Sequence, residues 1–192
     1  MINALQSFGR RRATRLLAAS AILGATFSVA SMGIGSTPAL AVTPACTAAN
    51  TYVWAPYVAS GTAGTFYYVL EFSNVGHSTC TLRGFARVWG VTSAGALVGK
   101  PASHAGTTTT VTLAPDQTAH AILGVVDTGA LCGTHGVRAA GLRVVPPGQI
   151  LPTSPGERDE VESFPLEVCS NESSMHVEPI RAGTGIPLYT TS

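Results

Sequence analysis

The sequence predicts an all-β chain folded as an antiparallel sandwich of two sheets. Three features carry that expectation. Short stretches alternate apolar and polar residues with a period of two, most cleanly from Thr65 to Ser73. Glycine and proline are frequent, 21 and 12 of 192 residues, and punctuate those stretches. No stretch of the mature chain carries the apolar stripe of an amphipathic helix. An alternating strand has one apolar face that needs cover, and a second sheet supplies it at about 10 Å. An up-and-down barrel is the alternative.

Taken in order, Tyr52 to Val58 is strand-like, but Pro56 cannot donate to a ladder and marks a sheet edge. From Thr65 to Ser73, Phe66, Tyr68, Leu70 and Phe72 share one face, and Tyr67, Val69, Glu71 and Ser73 the other. Asn74-Val75-Gly76 closes that strand. The next run begins at Cys80-Thr81-Leu82, is interrupted by Gly84 as a bulge would do, and resumes from Phe85 to Val91. Ser93-Ala94-Gly95 turns the chain into Leu97-Val98. Further strands are expected at Thr108–Leu113 and Thr118–Val126, on either side of the turn Pro115-Asp116. Val137–Val145, Val161–Phe164 and Met175–Ile180 complete the set. The proline-rich, charged stretch from Pro146 to Glu160 reads as an exposed loop.

Residues 1–41 read as a cleaved secretory signal peptide. Arg10 to Arg15 form a positive region, Leu16 to Gly35 is uncharged and apolar, and Ala39-Leu40-Ala41 supplies the small residues that signal peptidase needs. A retained anchor is disfavoured, because Ser20, Thr26, Ser28 and Ser31 dilute a stretch that only approaches the ~20 residues needed to span a bilayer. Ala13 and Thr14 stand where a twin-arginine signal wants apolar residues, so general secretion is favoured. Thr43-Pro44-Ala45 before Cys46 is no lipidation box. Cleavage leaves 42–183 as a single domain with a short tail, 184–192, and no transmembrane helix.

Only 11% of residues are charged, and four of the 11 basic residues lie in the leader, so seven face ten acidic ones in the mature chain. That excludes a charge-rich disordered chain, a coiled coil and a nucleic-acid binder with a broad basic face. The expected location is extracellular, associated with the cell envelope. Cys46, Cys80, Cys132 and Cys169 all lie in the mature chain, and an even number in an exported protein argues for two disulfides. Three connectivities are open. Cys46–Cys80 with Cys132–Cys169 is favoured because each pair is adjacent in the chain, and each closed loop would contribute about 3.8 kcal/mol in the chain-entropy model.

Several motifs carry a family resemblance. Gly64-Thr65-Phe66-Tyr67-Tyr68, Glu71-Phe72-Ser73-Asn74 and Cys80-Thr81-Leu82-Arg83-Gly84-Phe85 resemble the start of the domain of unknown function family 4232. Thr112-Leu113-Ala114-Pro115 and Thr118-Ala119-His120-Ala121 are similar to its middle. Cys132, Ala140-Gly141-Leu142-Arg143-Val144 and Pro146-Pro147-Gly148 resemble its third quarter. Cys169 and Val177-Glu178-Pro179-Ile180-Arg181-Ala182-Gly183 resemble its end. The resemblance spans nearly all of residues 46–183. It implies a secreted or membrane-tethered actinobacterial protein with an immunoglobulin-like fold and paired cysteines, and brings no activity. Ala86 replaces the family's usual proline, and Asp116 its usual glycine.

The sequence holds no recognisable reactive constellation. His77, His104, His120, His135 and His176 share no metal-face spacing, and no Gly-x-Ser-x-Gly nucleophile turn occurs. Glu157, Asp159, Glu160 and Glu162 read as a solvated charged loop. No catalytic residue, metal or cofactor is expected. Two functions remain: a non-catalytic binding or structural module of the cell envelope, or a secreted hydrolase of envelope glycans or peptides with a nonsequential site. The expected partner is an envelope glycan or protein. Trp54 and Tyr57 are the candidate recognition residues, because alternation puts Tyr52 and Trp54 on one face of an edge strand and Tyr57 on the other.

Overall fold

Alternation in Thr65–Asn74 builds the strand around which the first layer is laid down. In the computed structural model, residues 42–56, 59–150, 160–161 and 163–185 are described. Residues 1–41, expected to be a signal peptide, together with Tyr57, Glu157, Asp159, Glu162 and residues 186–192, lie outside them. The strands are β1 (Thr51–Trp54), β2 (Ala59–Thr62), β3 (Thr65–Asn74), β4 (Cys80–Arg83), β5 (Arg87–Val91), β6 (Leu97–Val98), β7 (Ser103–His104), β8 (Thr110–Leu113), β9 (Thr118–Val126), β10 (Gly136–Ala139), β11 (Gly141–Val145), β12 (Glu160–Val161), β13 (Leu166–Cys169), β14 (Met175–Val177) and β15 (Arg181–Ala182). One short helix, α1 (Thr128–Leu131), follows β9.

The first layer runs β1-β3-β9-β14-β7, with β2 also on β3 and β15 also on β9. Its centre is the antiparallel β3–β9 ladder from Thr65↔Val126 to Ser73↔Thr118. The second layer is made of β12-β11-β5-β6, β10-β13 and β4-β8. Leu70, Phe72, Ala121, Leu123 and Val177 from the first layer form one buried cluster with Leu82, Val88, Leu142 and Val144 from the second. This is an all-β sandwich, and the sheets do not close into a barrel. Among the described residues, the strand pairs are antiparallel except β7–β14, which is parallel.

Several expected strands are cut by identifiable backbone features. The expected strand Val137–Val145 divides at Ala140: β10 pairs with β13, whereas β11 pairs with β5. Met175–Ile180 ends at Val177, because Pro179 brings no N–H to the β9 ladder, and pairing resumes at β15. Gly84, at φ 108, parts β4 from β5, and its carbonyl accepts from Ile180 N–H. β7 and β13 escaped the alternation pattern because two and four residues are too short to display it. Asp116 adopts φ 64, a left-handed conformation that glycine takes without strain and aspartate tolerates.

The bridges join Cys46 to Cys80 and Cys132 to Cys169, the chain-adjacent connectivity of the three open ones. The first fastens the segment before β1 to β4, where Cys46 N–H also bonds Thr81 O at 2.9 Å. The second ties the corner after α1 to the end of β13.

The outer face of β3 departs from simple polar-out alternation. Val69 and Glu71 are both buried there, at 2% exposure. Residues 183–185 lie across them as a strap. Gly185 N–H donates to Glu71 Oε1 at 2.9 Å, and His120 Nδ1, opposite Glu71 in the ladder, donates to Gly183 O at 2.8 Å. A Cβ on Gly185 would lie 2.2 Å from Val69 Cγ1, so only glycine allows so close an approach.

Candidate functional site: an aromatic cleft with two carboxylates

Trp54 lies on the outer face, half-buried, and its indole N–H donates to Ser73 Oγ at 3.1 Å. Ser73 Oγ in turn meets Thr118 Oγ1 at 2.9 Å, so the ring is held in a side-chain hydrogen-bond chain. Tyr52, in the register position beside it, is exposed. The other named recognition residue, Tyr57, is outside the described residues. The histidines are dispersed. His104 stacks on Phe85 with centroids 4.6 Å apart, and His176 packs edge-on to Tyr67 at 6.1 Å. Among the described residues no three His, Cys, Asp or Glu side chains group as metal ligands would.

A cleft opens where the core face of β3 outruns its cover. Tyr68, Leu70 and Phe72 point inward along β3, and the last two are fully buried. Phe66, one step nearer the strand's start on the same face, is 47% exposed. Its ring and that of Tyr68 form an apolar wall, with Tyr68 held edge-on against Phe164 at 4.7 Å. Asp127, Thr128, Leu166 and Glu167 lie across from them in a space of about 200 Å³, which Val125, Val126 and Pro165 also line.

The polar wall is positioned by capping and by the second disulfide. Asp127 is the N-cap of α1, its carboxylate accepting from Ala130 N–H at 3.3 Å, as aspartate before a helix's first turn is suited to do. Thr128 is buried and donates its hydroxyl to Glu167 Oε2 at 2.8 Å. α1 runs directly into Cys132, and Glu167 precedes Cys169 by two residues, so the Cys132–Cys169 bridge fixes the strand and the helix that carry the two acids.

Two backbone donors beside the cleft are committed within the fold. Val126 N–H bonds Ser174 O at 2.8 Å and Asp127 N–H bonds Gly64 O at 2.8 Å. The wall presents two carboxylates beside aromatic rings. Sequence reasoning saw the Phe66–Tyr68 face but not the acids, which are forty residues apart and meet only through the α1–β13 contact. A capping signal, Asp127 before Thr128-Gly129-Ala130, was the one local cue.

A family model described as Domain of unknown function (DUF4232) matches residues 46–174. No curated protein matches the chain.

Proposed function

The chain belongs to the DUF4232 family, whose description carries no activity, and from its own geometry we propose that it is a non-catalytic recognition module that works outside the cytoplasm, at the cell envelope. The support is the cleft of Phe66, Tyr68, Asp127 and Glu167: a large aromatic surface left open beside carboxylates already engaged as cap and hydrogen-bond acceptor. Groups so engaged suit a rigid binding wall better than proton transfer. Two disulfides fit an oxidising compartment, and no helix among the described residues is long and apolar enough to cross a membrane. In this reading the leader is removed after Ala41, so the intact mass of the exported protein should begin at Val42.

The exported, oxidised protein, immobilised and exposed to envelope fractions, should retain envelope material. Phe66→Ala should abolish that retention while leaving the melting temperature nearly unchanged, because the ring is half exposed. Retention indifferent to Phe66→Ala would refute the assignment of the cleft. Release of soluble glycan or peptide fragments would refute the non-catalytic reading in favour of a hydrolase.

A further inference from the structure

We infer that the group held by this cleft is an organic cation, an ammonium on a short apolar stem; the inference rests on the reading of the cleft as the recognition site. The lining offers acceptors and aromatic faces. The Thr128 hydroxyl donates its hydrogen bond to Glu167, and the backbone donors of Val126 and Asp127 are bonded within the fold. Pro165, also in the wall, has no N–H. An anion would face two carboxylates of its own sign. A cation finds both carboxylates, and the exposed face of Phe66 beside Tyr68 adds the attraction of an aromatic quadrupole for positive charge.

Size narrows the ligand further. A space of about 200 Å³ is smaller than the roughly 300–1,000 Å³ typical of sites that enclose a whole small molecule. It suits the end of a side chain or substituent whose remainder stays outside. Arg138 stands opposite Glu167 in the β10–β13 ladder and offsets part of that carboxylate's charge. Its removal should therefore strengthen cation binding.

The test is a titration of the full exported, oxidised protein followed by amide NMR at residues 126–128 and 166–167. The probes are n-butylammonium, tetramethylammonium, glucosamine and the neutral 1-butanol. Butylammonium should shift these signals saturably and bind about fivefold or more tighter than 1-butanol, the margin of a charged over a neutral hydrogen bond. Butylammonium should also bind more tightly than glucosamine; the reverse order would overturn the apolar stem. The double variant Asp127→Asn, Glu167→Gln keeps the cap and the acceptor for Thr128 while removing both charges. It should lose about fivefold in butylammonium affinity and nothing for butanol, and Arg138→Gln should move affinity the other way. No response to any amine, equal binding of the alcohol, or an unchanged affinity in the double variant overturns the cation. If envelope retention is also indifferent to Phe66→Ala, the reading of the cleft falls with it.

Discussion

Replacing Glu71 with glutamine tests the strap over the outer face of β3. The carboxylate is buried, with one oxygen accepting from Gly185 N–H and Oε2 without a hydrogen-bond partner among the described residues. Burial pushes its pKa above the ordinary value of 4.5, and the Gly185 N–H and the His120 ring pull it partly back. A raised carboxylate pKa means that the folded state holds the proton more tightly than the unfolded one. The protonated group is thus at no disadvantage below pH 4.5, and stability declines as pH rises from there through the raised folded-state value. Glutamine keeps an oxygen for Gly185 N–H and abolishes the buried charge. An unpaired buried polar atom costs about 1–3 kcal/mol, more when charged. The amide leaves its own –NH₂ unpaired, so the expected net gain at pH 8 is near the lower end, about 1 kcal/mol. In a chain of this size that corresponds to about 2–4 °C in melting temperature. Paired thermal melts of both proteins from pH 4 to pH 8 measure it, since groups remote from residue 71 cancel in the difference. The gap should be widest at pH 8 and close toward pH 4. A variant less stable than the parent at pH 8 by a pH-independent margin would refute the reasoning, because the charge would then be well compensated in place.

Other perturbations follow from the same geometry. Changing Cys132 and Cys169 together to serine should lower unfolding free energy by about 2–5 kcal/mol in urea titrations and speed amide exchange at Asp127 and Glu167, whose elements the bridge fastens. Gly124→Ala should cost about 1–3 kcal/mol by overpacking, since the new methyl would meet the His176 ring at 2.1 Å; a stability equal to the parent's would show that the ring is free to move aside. Trp54→Phe should remove the indole bond to Ser73 at a cost of about 1 kcal/mol. Unchanged stability with lost envelope retention would instead make Trp54 a contact residue.

The legible part of this protein was whatever a few neighbouring residues decide. Alternation in Thr65–Ser73 put Leu70 and Phe72 in the core, and alternation in the strand at Tyr52 put Tyr52 and Trp54 on one face, because side-chain direction along a strand is set by the backbone alone. An even number of cysteines after a segment read as an export signal pointed to two bridges. Tertiary structure decided the rest, because it depends on what distant segments bring. Nothing near Glu71 in the chain announces that residues 183–185 will bury it, or near Val137–Val145 that Ala140 divides two pairings. Phe66 was read as one more residue of an apolar face, yet the second layer stops short of it and leaves its ring in the open. Asp127 and Glu167 become walls of one cleft because α1 packs on β13, where Cys132 meets Cys169. A strand's pattern tells which side needs cover; how far the cover reaches, and which charges gather at its edge, is settled by packing between segments far apart in sequence.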